Sequence, residues 1–179
     1  MNETPQHAKF WDRVGAYLLD GIIIGFLSFG MNYLNIAYFK SFWIYLLVAV
    51  IGLMYKPYFE SKYNATLGKL VLNLQVTDWN YNYISFKRAL LRSLILILSS
   101  LIYIPIHYLA FNNSYMMEAT GVFDFSTRLS EVYPLMTLSA SMISWIVLAD
   151  IIVYLVEVNK NQRSLKDFIA KTYVIVKQK

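Results

Sequence analysis

The sequence predicts an all-α membrane protein: four transmembrane helices, both termini in the cytoplasm, and a small cytoplasmic element that contains strands. Three observations predict it. Hydrophobic residues make up 58% of the 179 and charged residues only 15%, against roughly 25% charged in a soluble domain. The apolar residues gather in four stretches, about residues 14–34, 42–59, 89–111 and 133–156, each near the roughly 20 residues that a bilayer span needs. Of the 16 Lys and Arg, 14 fall on one side of the membrane in a four-span arrangement, as cytoplasmic basic residues do.

The first stretch is too long for a cleavable signal peptide, is interrupted by Asp20 and lacks a small-residue cleavage site, so it is expected to stay in the mature protein. The second is the shortest. It extends back toward Ile36 if Lys40 snorkels to the headgroups. Basic residues cluster in the N-tail (Lys9, Arg13), in the cytoplasmic segment 60–88 and its borders (Lys56, Lys62, Lys69, Lys87, Arg88, Arg92) and in the tail 157–179 (Lys160, Arg163, Lys166, Lys171, Lys177, Lys179). The connection from about Asn112 to Val132 reads as an acidic outer loop. Phe10, Trp11, Trp43, Tyr55 and Tyr58 lie at span ends, where aromatic rings favour the headgroup level.

In the cytoplasmic segment, the alternation from Leu72 to Asp78, a turn at Trp79–Asn82 and a return at Tyr83–Phe86 predict a hairpin. Lys171 to Lys177 reads as a further strand, and a third strand helps a marginal hairpin. Ser164 to Ala170 reads as a short helix with Ser164 at its N-cap and Asp167 at N3.

The absence of Cys excludes disulfides, iron–sulfur clusters, cysteine zinc sites and thiol nucleophiles. Two isolated His argue against a zinc centre. Thr66–Lys69 lacks the first Gly and the final Ser or Thr of a phosphate loop. Neither a cofactor, a metal nor an enzymatic activity is expected. The net charge of +5 on so apolar a chain points to anionic lipid rather than nucleic acid.

Ionisable residues inside spans point to function, because each costs about 2.5–3.5 kcal/mol at a helix centre. Arg13 and Asp20 lie seven residues apart on one face of the first span, too far for direct contact along one helix. Either Arg13 folds toward Asp20, or both take partners on other helices. Asp150 and Glu157 repeat the spacing in the fourth span, and Arg92 lies one turn into the third. Arg13, Asp20, Arg92, Asp150 and Glu157 are therefore candidates for one cytoplasmic-side network. It reads either as ion pairs that fix register and topology or as a proton or cation site. Gly21 and Gly25 form a small-residue pair suited to packing inside the bundle or to a homo-oligomer face. His107, beside Pro105, reads as a capping residue or a proton relay.

The block from Phe10 to Asp20 (FWDRVGAYLLD), the block Thr66–Lys69 with Val76–Asp78 and Arg88–Arg92, and the tail Ser164–Val174 resemble, in order, the motifs of the RDD family of small bacterial membrane proteins. The resemblance implies that Arg13 is the family's Arg, Asp20 its first Asp and Asp167 its second. Asn64 stands where a Gly usually precedes the TxGK motif, and Lys166 where His often precedes the last Asp. The resemblance implies a multi-pass protein of the bacterial cytoplasmic membrane, transport-related, with sodium/proton exchange linked to some members. The alternative is a non-transporting accessory or scaffold protein that works beside a membrane partner.

Overall fold

The computed structural model of the protein describes residues 5–157 and 162–177. Lys160 and Lys179, two of the expected cytoplasmic cations, lie outside the described residues. The elements in order are α1 (Phe10–Leu34, continued by a π turn, Asn35–Phe39), α2 (Phe42–Tyr63), α3 (Leu67–Val71), β1 (Leu74–Asp78), α4 (Phe86–Arg92), α5 (Leu94–Phe111), α6 (Ser114–Met117), α7 (Val122–Val132), α8 (Leu135–Glu157), α9 (Leu165–Ala170) and β2 (Thr172–Val176). Among the described residues, three helices are long and apolar enough to cross a membrane: Phe10–Phe39, Phe42–Tyr63 and Leu94–Phe111. Helix α8 occupies the fourth expected stretch.

The chain divides into two compact units. The first comprises Met1–Ile23, Met54–Leu94 and Val147–Lys179. Its sheet is β1 paired antiparallel with β2, with Leu74 opposite Val176, Val76 opposite Val174 and Asp78 opposite Thr172. The expected hairpin therefore does not form as a strand pair: Tyr83 makes only an isolated bridge to Thr77. The edge of β2 is covered instead by the N-tail, where Ala8 N donates to Val174 O (2.9 Å) and Val176 N to Gln6 O (2.9 Å). Pairing the C-terminal strand on one side with the N-tail and on the other with β1 uses the backbone groups that a lone hairpin would leave open. Beneath the sheet Ala8, Ala16, Leu74, Val76, Ile84, Ala89 and Val174 form an apolar core.

Asn64, directly after the end of α2, has φ 55°. Asn tolerates this left-handed conformation better than most side chains, which accounts for Asn where Gly is usual. Its carbonyl accepts Val76 N (2.6 Å) and its side-chain oxygen accepts Ile84 N (3.1 Å), tying both ends of the segment to one residue.

The second unit comprises Ile24–Leu53 and Ile95–Ile146. Its core is Ile36, Ile106, Ala110, Phe111, Met116, Ala119, Phe125 and Leu129. The expected outer loop is thus largely helical: α6 and α7 carry Met116, Phe125 and Leu129 into this core. The period of the apolar residues in α7 explains why an acidic stretch still folds. Buried Asn35 closes the turn between α1 and α2, donating to Ser41 O (2.9 Å) and accepting Ser41 N (3.0 Å). Lys40 donates to Met117 O there.

Two helix limits differ from the expected stretches. Helix α2 runs on past Pro57 to Tyr63, and the third long helix begins at Leu94 rather than near residue 89, after a turn at Ser93. Glu60 lies in the added turns of α2, and Arg92 ends α4, ahead of the third long helix. Trp11 and Trp43 are exposed, whereas Tyr55 is buried.

Candidate functional site

Arg13 and Asp20 both leave their own helix for their partners. Arg13 lies one turn into α1, and its Nη1 donates to Asp167 Oδ2 (2.5 Å). Asp167 sits at N3 of α9 and accepts Ser164 N (3.2 Å), the return half of a capping box. Its Oδ1 accepts Arg92 Nη1. Arg92, the last residue of α4, also donates to Thr172 Oγ1 at the start of β2 and, through Nε, to Glu60 Oε2 (2.8 Å). Glu60 Oε1 accepts Lys69 Nζ from α3. The result is one alternating chain, Arg13–Asp167–Arg92–Glu60–Lys69, built from five helices.

The chain is sealed. Asp167 is 0%, Glu60 3% and Arg92 6% exposed. Burial alone would push the Asp167 carboxyl up, but the Arg92 and Arg13 guanidiniums override it and hold it well below the usual carboxylate range. Burial lowers the Lys69 ammonium from its ordinary value, with Glu60 opposing the shift. Removing one member would leave its neighbours charged and dry, at about 3–5 kcal/mol.

Asp20 lies beside this chain and has no ion-pair partner among the described residues. Its Oδ1 accepts Tyr55 OH (2.7 Å) and Gly68 N (2.8 Å), and its Oδ2 accepts Thr66 Oγ1 (2.6 Å). Tyr55 OH in turn accepts Leu67 N (3.0 Å). Asp20 and Tyr55 therefore cap the first turn of α3, whose backbone N–H groups have no partner within that helix. A Cβ on Gly68 would strike Ala16 O and come within 3.0 Å of Asp20 N, so only Gly admits this approach of α3 to α1. The TLGK segment is thus a docking turn for the Asp20 carboxylate.

The expected single network is divided among four places: Arg13 and Arg92 share the ionic chain, and Asp20, Asp150 and Glu157 each have partners of their own. Asp150 binds Lys166, through Nζ at 2.8 Å and the backbone N at 3.1 Å. Lys166, standing where the family often has His, supplies this pair. Glu157 binds Arg163 Nη2 (3.2 Å). Neither acid joins the Arg13–Asp167 chain. His107 stacks on Tyr45 with ring centres 4.0 Å apart, and its Nδ1 lies 2.8 Å from Tyr103 O. Nothing described lies within 4 Å of a Cβ built on Gly21 or Gly25, so this stripe is not packed against another described helix. No cluster of three His, Asp or Glu among the described residues could hold a metal ion.

Glu60, Tyr55, Thr66 and Thr172 are the site residues that sequence reading passes over. One signal was available: Arg13 and Arg92 both lie at the ends of apolar stretches and call for acids nearby. Glu60, directly after the second stretch, is the nearest acid left.

The model of the RDD family matches residues 7–171. No curated protein and no solved structure matches the chain.

Proposed function

The chain belongs to the RDD family, and from that premise we propose that it is a four-span protein of the bacterial cytoplasmic membrane, with both termini inside, acting as a non-transporting accessory or scaffold for a membrane partner. Its charged centre is structural: it clamps the N-terminal helix, the central segment and the C-terminal tail into one module. The observation that carries this reading is saturation. Both oxygens of Asp167, Glu60 and Asp20 accept hydrogen bonds from protein donors. An exchanging carboxylate has to release such partners in every cycle, and here the release would leave buried cations alone.

A second reading rests on one specific feature. Asp20 is held by neutral donors only, so a proton or a sodium ion could neutralise it without breaking an ion pair. Cation/proton exchange would then centre on Asp20, with Arg13 as a neighbouring charge.

Reconstitution separates the two. The purified protein in liposomes should move no sodium in response to a pH gradient, crosslinking should recover a specific membrane partner, and Asp20→Asn should lower abundance. Sodium flux that Asp20→Asn abolishes at unchanged abundance would establish the exchange reading instead. The chain has no Cys, so single cysteines placed at Gln6, Asn113 and Lys177 test the topology directly. Labelling of the first and last from the inside and of Asn113 from the outside is the expected pattern.

A further inference from the structure

Among the described residues, five buried polar side-chain atoms have no hydrogen-bond partner, all in the first unit, and four of them are His7 Nδ1, Arg13 Nη2, Arg163 Nε and Ser164 Oγ. These four share one neighbourhood. Arg13 Nη1 and Ser164 N meet on the same oxygen, Asp167 Oδ2. The His7 ring lies 5.0 Å from that of Tyr173, edge on, and the Arg163 guanidinium lies 5.9 Å from the same ring and 4.0 Å from that of Phe168. Tyr154 closes another side, with Arg13 5.0 Å from its ring and its hydroxyl on Ala8 O. The fifth such atom, Thr77 Oγ1, belongs to the residue opposite Tyr173 in the sheet.

An unpaired buried donor costs about 1–3 kcal/mol, so several together call for an explanation. Ser164 is only 4% exposed, so its free hydroxyl is not a surface group awaiting bulk water. The other hydrogen bonds of these side chains are already assigned: Glu157 holds Arg163 by Nη2, Asp167 holds Arg13 by Nη1, and Arg13 Nε donates to Ala8 O (3.3 Å). What remains is a Nε–H, a guanidinium Nη2, a hydroxyl and an imidazole nitrogen. Two are permanently cationic groups, and Asp167, the nearby acid, is already shared with Arg92.

We propose that His7, Arg13, Arg163 and Ser164 form a site for a phosphate-type anion, either free phosphate or the headgroup of an anionic phospholipid. Guanidinium groups bind phosphate oxygens with directed, charge-assisted hydrogen bonds, and a serine hydroxyl completes the set. Burial, and then Arg13 and Arg163, lower His7 from its ordinary value, so it enters the site neutral, with Nδ1 able to donate or accept according to tautomer. The site is independent of whether the protein moves ions.

The test uses the full chain in detergent, with its melting midpoint followed against inorganic phosphate and against chloride at matched ionic strength. A second arm places it in vesicles of phosphatidylglycerol or phosphatidylcholine and reads lipid retention by native mass spectrometry. Saturable stabilisation by phosphate identifies a soluble anion, and retention of phosphatidylglycerol alone identifies a headgroup. Arg163→Gln should weaken either by about tenfold or more, the loss of a charge-assisted bond. Ser164→Ala should also lose affinity; because Ser164 is the N-cap of α9, each variant's phosphate-dependent shift is read from its own anion-free melting midpoint. Binding in neither arm, or binding unchanged in both variants, overturns the proposal. Arg13 is left intact because it also holds Asp167.

Discussion

The two units hold together by different physics. In the first, five alternating charges and the donors around Asp20 join six elements through directed bonds. In the second, rings and aliphatic side chains do the work: Phe111 and Phe125 lie 5.4 Å apart, Phe42 meets Tyr108 edge on at 5.2 Å, and His107 stacks on Tyr45. The charges of the second unit sit at an exposed rim, where Arg128 reaches Asp124 at 2.9 Å and Glu118 at 3.6 Å. The difference teaches where specificity comes from in a chain this apolar. Lipid tails are as apolar as Leu, so apolar faces alone do not choose their neighbours. Close ring packing or polar bonds must choose, and the first unit, rich in short helices and turns, relies on bonds.

The comparison breaks most sharply at Asp167. Asp167→Ala leaves Arg13 and Arg92 buried with one partner fewer each, and should cost at least about 3–5 kcal/mol. Hydrogen exchange should show protection lost throughout α4, α9 and the sheet while the Phe125 region keeps its own. Acid offers the same cut without a mutation. The folded pKa of Asp167 is depressed, so its contribution is complete above the ordinary aspartate value, near pH about 4, and is lost as the pH falls through its lower folded value. Exchange protection of β2 should hold down to pH about 4 and fall below it, and protection already lost at pH 6 would contradict the sign.

Phe125→Ala is the counterpart in the second unit. It should cost toward the lower end of about 3–5 kcal/mol, with protection lost around α5 and α7 and the ionic chain intact. Loss spread evenly over both units would end the distinction. Gly68→Ala should cost about 1–3 kcal/mol by overpacking, read as a lower melting midpoint and release of the Asp20 contacts. The smallest effect is expected at Gly21→Ala, within about 0.5 kcal/mol, because its Cβ meets nothing. A large loss there, together with a changed mass in crosslinking, would reveal a homo-oligomer face on α1.

The long helices were legible because their signal is composition, which survives any tertiary arrangement. The short helix at Ser164 was legible because its cap is local, Asp167 reaching back three residues to Ser164 N. The sheet was misassigned in its pairing because period-two alternation marks a strand but not its neighbour. Tyr83 followed β1 in sequence, yet β2 lies alongside it. The outer helices were missed because a few acidic residues masked the period that buries Met116, Phe125 and Leu129.

By itself, the sequence determined that this is a membrane protein of the RDD family, where its apolar stretches run, and that Arg13, Asp20 and Asp167 stand within its three motif-like blocks. Those properties are carried by residue type and order along the chain. Which charge meets which was decided only by the tertiary structure. Asp20 and Arg13 share a helix face, yet one caps the TLGK turn and the other binds an acid from the far end of the sequence. Ion pairing is a matter of a few ångströms between elements distant in sequence, and no spacing along a helix encodes it.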